Sequence, residues 1–423
     1  MIRFLSKGLL RDRSRSLLPT MVVALGIFFM TSLDGFVAGM INSLIDKTAS
    51  FQTGHLKVMS RAYYLNEDQK PIDLAILEVD DILYELNASF PQIDWSPRIY
   101  FGGLLDVPNA FGETLAQGPV IGTAYDLCTP QSRESERLDL HKALTAGRLI
   151  QHPGEIIISD DFAERFGIQP GDTLSFFGST MYGSMSAANF RVAGAVRFGM
   201  AALDRGAIIL DISDARQLLD MENAAGEIFG FLPGDNYNRE QAELVKEGFN
   251  ALSVLDPDEY APVMVQLADY SSISSTMDYA DYVITLMLIV MILALSIVLW
   301  NTGVLGGIRR YNEFGIRLAM GELKGHIFGS LLTESLLIGL IGSCIGISTG
   351  LAFSYYLSKY GISYADMMNN MSLLLDPVIH AQIIPRMYWI GFIPGVVSML
   401  IGSALAGLAI YQRKTASLFK ELG

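Results

Sequence analysis

Four stretches of this chain carry no charged residue and are long enough to cross a bilayer. They are Ser16–Leu33 (18 residues), Val283–Trp300 (18), Ser335–Ser358 (24) and Met387–Gln412 (26). A helix rises about 1.5 Å per residue, so roughly 20 apolar residues span the hydrocarbon. More than 200 residues separate the first run from the second, whereas the last three follow one another closely. The pattern predicts an α+β membrane protein: four transmembrane helices, with a large mixed α/β extracytoplasmic domain inserted between the first and second.

Composition fits that mixture. With 51% hydrophobic and 17% charged residues and a mean hydropathy of +0.34, the chain is too apolar for an ordinary soluble enzyme. It is also too charged to consist of spans alone. The net charge of −14 is unevenly placed. Asn42–Ala280 holds 16 Lys and Arg against 35 Asp and Glu, a net of −19, and the remainder is +5. So acidic a domain argues against a nucleic-acid partner.

Basic residues gather before the first run (Arg3, Lys7, Arg11, Arg13, Arg15), between the second and third (Arg309, Arg310, Arg317, Lys324) and after the fourth (Arg413, Lys414, Lys420). By the positive-inside rule, both termini and the short connection lie in the cytoplasm and the acidic domain outside. A cleaved signal peptide is the alternative reading of the N-terminus. The length of the run and the lack of a small-x-small site favour a retained helix. Cys128 falls in the aqueous domain and Cys344 inside an apolar run, so no intramolecular disulfide is expected. No lipobox-like Cys follows the first run.

Helical spacing continues past the first run through Phe36, Val37, Met40, Ile41, Leu44, Ile45 and Thr48. It recurs before the second run in Val263, Leu267, Tyr270, Ile273, Ser274 and Met277. Both stretches read as stalks rising from the bilayer, or as short linker helices. Between them, strand-like segments such as GHLKVM (Gly54–Met59), PRIYFGGLLDV (Pro97–Val107), GEIIIS (Gly154–Ser159), GAIILD (Gly206–Asp211) and ALSVL (Ala251–Leu255) alternate with helices. One helix starts at a capping-box-like Asp161–Glu164 pair and another is capped at Asn238. Residues 125–220 read as an inserted β-rich subdomain. The boundaries are a cytoplasmic N-terminus at 1–15, first span and stalk at 16–50, outer domain at 51–261, and stalk and second span at 262–301. An elbow at 302–326, the third span at 327–358, an outer loop at 359–386, the fourth span at 387–412 and a tail at 413–423 complete the chain.

No G-x-x-x-x-G-K-[ST], H-E-x-x-H or G-x-S-x-G occurs, and the five histidines lack ligand spacing. The runs also lack the several ionisable residues expected of an ion-coupled transporter. Glu334, at the edge of the third run, reads as snorkelling or as paired with Arg309 or Arg310. An energy source on another polypeptide is therefore expected. The elbow, NTGVLGGIRRYNEFGIRLAMGELKGHIFGSLLTES (Asn301–Ser335), interleaves charges with apolar residues, as on a helix lying at a membrane surface. An ordinary positive-inside loop is the alternative. In the third run Gly339, Gly342, Gly346 and Gly350 stand at spacings that let helix backbones approach, between subunits or within one bundle.

The elbow EFGIRLAMG (Glu313–Gly321) resembles the E-x-G-[IL]-x-[RK]-A-x-G signature of MacB/FtsX-like permeases of ABC transporters, with Leu318 as a departure between Arg317 and Ala319. The outer segments TGHLKV (Thr53–Val58), SPRIYFGGLL (Ser96–Leu105), PVIGTAYD (Pro119–Asp126) and GEIIISDDFAERFGIQPGDTL (Gly154–Leu174) look most like those of the lipoprotein-release permeases LolC and LolE. The resemblance covers essentially the whole chain. It implies a periplasmic domain, residence in a bacterial inner membrane, and no catalysis by this chain. It further implies no cofactor bound here, with ATP and Mg²⁺ carried by a separate ABC ATPase present in two copies. A second permease subunit, identical or homologous, and membrane lipids are further implied partners, as are a lipoprotein cargo and a periplasmic chaperone. In the family the elbow is a coupling helix, which places Glu313, Phe314, Gly315, Ile316, Arg317, Ala319, Met320 and Gly321 at the ATPase. The LolC hook that binds the chaperone corresponds to Gly178–Asn189, which here is short and lacks proline. MacB-like export of peptides or small molecules and FtsX-like control of a cell-wall hydrolase are the alternative functions.

Overall fold

The computed structural model of the protein describes residues 13–108, 113–197, 204–235, 237–253, 258–308, 311–363 and 378–412. Contacts divide the chain into two units, one built on the four apolar helices and one spanning Leu44–Thr276.

The four apolar helices are Arg13–Thr48, Ser271–Ile308, Lys324–Tyr360 and Met399–Gln412. Each belongs to a segment long and apolar enough to cross a membrane. A 3₁₀ turn (Pro385–Tyr388) and a π-turn (Ile393–Ser398) precede the last helix. Pro394 is the second residue of the π-turn, where a proline without an N–H donor is tolerated.

Four glycines of the third helix pack within this bundle. A Cβ on Gly342 would lie 2.7 Å from Val23, on Gly346 2.6 Å from the Ala24 carbonyl, and on Gly350 2.8 Å from Thr31, all on the first helix. Gly339 meets Gly395 of the fourth segment instead, at 2.7 Å from its carbonyl. All four of these contacts lie within the chain's own bundle. Further along the first helix, buried Asp34 accepts two hydrogen bonds from Arg386, at 2.7 and 3.1 Å. Gly39 lets the backbone at His380 approach too closely for any side chain.

The second unit is a mixed α/β domain. Its strands are β1 Leu56–Ser60, β2 Ile76–Leu77, β3 Asp94–Pro108, β4 Thr114–Tyr125, β5 Leu144–Gly147, β6 Glu155–Ser159, β7 Thr173–Ser179, β8 Met185–Val196, β9 Ala207–Asp211, β10 Ala224–Ala225, β11 Glu227–Phe231 and β12 Pro262–Gln266. Ten of them form one sheet, ordered β12-β1-β11-β3-β4-β9-β6-β8-β5, with β7 pairing both β3 and β8. Only β4–β9 and β6–β8 are parallel among the described pairs. Residues 125–220 therefore supply β5–β9 to the common sheet. Leu56, Val58, Ile99, Ile156, Ile158, Leu210 and Ile228 are fully buried in its core.

Three readings of the sequence change here. The helical spacing from Val263 to Met277 is not one helix, because Pro262–Gln266 is a strand paired with β1 along its whole length. Val263 and Val265 suit a pleated, half-buried surface, and the sheet supplies partners that periodicity does not register. Ala251–Ser253, read as the start of a strand, closes the helix Arg239–Ser253. The helix Asp160–Phe166 starts from Ser159 without a side-chain cap, so the Asp161–Glu164 box is not made. The Asn238 cap is made: its side chain accepts from Gln241 N–H at 3.1 Å.

One carboxylate gives the domain an acid-sensitive point. Hydrogen bonds from Arg148 hold Glu155 at about 2, against the opposing effect of burial and with help from the Gln151 and His152 amides. Its ordinary value is 4.5, so the stabilisation is complete above that pH and is lost as pH falls from 4.5 toward 2. Glu155→Gln is expected to flatten that part of the melting-temperature profile. Identical slopes in the two proteins would remove Glu155 from the acid response.

Candidate functional site: the elbow and the stalk roots

The elbow is a helix, Tyr311–Ala319, turned into the third membrane helix by Met320–Leu323. Gly321 adopts φ +91°, a left-handed conformation that glycine enters without a steric penalty. Phe314 is buried against Ile327, Leu331 and Leu318, which pins the elbow to the third helix. Arg317 donates to both oxygens of Glu322, at 2.7 and 3.1 Å, and His326 Nδ1 lies 2.8 Å from the same carboxylate. The hydrogen bond with His326 foremost, and those from Arg317, keep Glu322 below its ordinary value.

The predicted contact residues therefore split. Phe314 and Gly315 face inward, Glu313 and Arg317 are half-buried, and Ile316, Ala319, Met320 and Gly321 are exposed. Arg317 spends its guanidinium on the turn itself. Three apolar side chains of the elbow and its turn are exposed: Ile316 is 57% accessible, Met320 75% and Leu323 79%. Leu323 and Glu322 were not among the predicted residues, since they follow the signature in sequence and join it only through the turn. The pairing of Glu334 with Arg309 or Arg310 lies outside the described residues.

A second constellation sits where the domain receives its two stalks. The first membrane helix ends in a π-turn, Ala49–Thr53, whose carbonyls need donors. Three side chains of the sheet supply them: Arg98 to Ser50 O (2.6 Å), Tyr100 to Phe51 O (3.3 Å) and Lys57 to Gln52 O (3.0 Å). Cations at a helix C-terminus also favour its dipole. Arg98 is fully buried, donates to Glu134 at 2.7 Å and stacks over Phe229 at 4.1 Å. Glu134 in turn accepts from Arg137 at 2.6 Å. Lys57, equally buried, donates to Glu67 at 2.6 Å and lies 3.3 Å from Glu227. Glu67 also accepts from Tyr270, the residue before the second stalk, at 3.0 Å. Burial first, and the Glu67 charge second, push the Tyr270 phenol well above its ordinary value, so it stays a donor. Sequence reasoning missed these residues; the only signal was a lysine or arginine inside an otherwise apolar strand.

The β7–β8 hairpin, within Gly178–Asn189, folds back on its own domain at Met181, which is buried and whose N–H donates to Leu219 O at 2.9 Å, while Tyr182 and Met185 are exposed. An open cleft of about 830 Å³ runs past Trp95, Cys128, Asp211 and Arg216. Burial, and then Asp211, raise the Cys128 thiol to about 12, which leaves it a poor nucleophile. Among the described residues no His, Cys, Asp and Glu group could hold a metal.

Fold and site define a polytopic membrane protein whose single large domain stands between its first two spans. Residues 16–278 match the MacB-like periplasmic core domain and residues 285–415 the FtsX-like permease C-terminal domain. The chain belongs to the MacB/FtsX-like family of ABC-transporter permeases, membrane subunits that work with ATPase partners. No curated protein sequence matches it. A solved structure, the periplasmic region of MacB from Actinobacillus actinomycetemcomitans, is similar over 55% of this chain and 95% of its own, with 14% identity and a TM-score of 0.36.

Proposed function

We propose that this chain is the mechanotransmitting permease of an ABC complex that releases lipoproteins from the inner membrane. Both termini are cytoplasmic in this reading, and a second permease completes the pair. The elbow carries the proposal: three exposed apolar side chains, Ile316, Met320 and Leu323, on an elbow held rigid by Phe314 and the Arg317–Glu322 pair, suit docking in a groove of a cytoplasmic ATPase. The assignment of cargo rests on the LolC/LolE-like segments of the outer domain.

Met320→Glu and Leu323→Glu are each expected to weaken co-purification of the ATPase at least tenfold. That follows from about 1.5–3 kcal/mol per buried apolar side chain. Arg317→Glu is expected to disorder the turn, and the swap with Glu322→Arg to restore it. Undiminished ATPase binding and lipoprotein release in both glutamate variants would end the elbow assignment. The folded-back hairpin favours a second reading, MacB-like export without a chaperone. Cargo co-purifying from native membranes separates the two, and a cell-wall hydrolase there would instead indicate an FtsX-like regulator.

A further inference from the structure

We infer that Lys57 and Glu67 form a two-residue tie that makes the roots of both stalks a single mechanical part. The inference rests on the proposed mechanotransmission and names the residues that would carry it through the domain. The tie is continuous from one root to the other. Lys57 Nζ donates to Gln52 O in the π-turn that ends the first stalk. The same ammonium donates to Glu67, and Glu67 accepts from the hydroxyl of Tyr270, which immediately precedes the second stalk. Glu227, on the floor of the site, faces Lys57 at 3.3 Å and Lys70 at 2.6 Å.

The backbone supports the same connection. β1 leaves the first root and pairs in full with β12, which enters the second; Leu267 N–H also donates to His55 O at 3.1 Å. A strand pair alone can hinge along its hydrogen bonds. An ion pair anchored on a fully buried lysine and reaching out to both helix ends adds contacts beyond the strands and opposes that hinge. A buried lysine is a costly way to gain stability, because an apolar replacement often serves as well. Positioning two helices against one another is the use that such geometry suits.

The test uses the full chain in nanodiscs with its ATPase. Tyr270→Phe keeps the ring and removes one link; Glu67→Gln removes the charge; Lys57→Arg is the conservative control. Hydrogen exchange at residues 49–56 and 266–275 is expected to rise at least tenfold in the first two variants, while protection of β6 and β9 is unchanged. Spin-label distances in the domain are expected to lose their response to ATP, with ATP turnover retained. Lys57→Arg is expected to keep both properties. Unchanged exchange at the roots would overturn the tie. Raised exchange with a normal ATP response would also overturn it, leaving the network a stabilising element and the function intact. A wild-type complex whose domain ignores ATP would instead sink the mechanotransmission reading, and this inference with it.

Discussion

Arg98→Met is expected to destabilise the outer domain by about 3–5 kcal/mol, the cost of breaking a buried ion pair from one side. The guanidinium is fully buried and has no solvent to replace its partners. Its removal leaves Ser50 O without its donor, takes a cation from the face of Phe229, and leaves buried Glu134 to Arg137 alone. For a domain of this size the loss corresponds to a fall in melting temperature of roughly 6–20 °C. Differential scanning fluorimetry of the purified protein reads it directly. A shift under 2 °C, on the order of one surface substitution, would mean that the root of the first stalk does not depend on this residue. The double variant with Glu134→Leu is expected to regain part of the loss, since the stranded carboxylate goes with it.

The second large effect is expected in the membrane unit. Gly346→Leu places a Cβ 2.6 Å from the Ala24 carbonyl and 2.8 Å from Ile27 Cβ. The first is main chain and the second is anchored to it, so neither can rotate away, and the first and third helices must separate. Overpacking of this kind costs about 1–3 kcal/mol or more. Here it also removes the close backbone approach that holds membrane helices together without a hydrophobic driving force. The variant is expected to aggregate on extraction in detergent, scored by the monodisperse fraction in size exclusion. Gly329→Leu in the same helix is the control, because a Cβ there meets nothing within 4 Å. Equal behaviour of the two variants would refute the packing role of the glycine stripe.

The parts of this architecture that were legible in the sequence are those written locally. Ser335–Ser358 declares a span by length and lack of charge, and Gly342, Gly346 and Gly350 declare a close helix contact by their spacing. What they contact was not legible, because Val23, Ala24 and Thr31 lie more than 300 residues away in the chain. β12 was misread for a related reason. Its apolar spacing fits a helix as well as a strand, and only the unpaired edge of β1 decides between them. At the elbow, the signature spans the helix and its turn but does not show which of their side chains are exposed. The bend at Gly321 leaves both Met320 and Leu323 exposed and lets Arg317 pair with Glu322.

Charge and hydropathy by themselves determined the number of spans, the single acidic domain between the first two, and the basic elbow between the second and third. These follow from transfer between water and lipid, which each segment undergoes on its own. The tertiary structure alone decided which charges are structural. Lys57, Arg98, Glu134 and Glu227 are buried only because β1, β3 and β11 come together around the ends of the two stalks. Burial strengthens an ion pair and raises the cost of leaving it unpaired. Both effects arise from the surroundings that the fold builds, not from the neighbours a residue has in the chain.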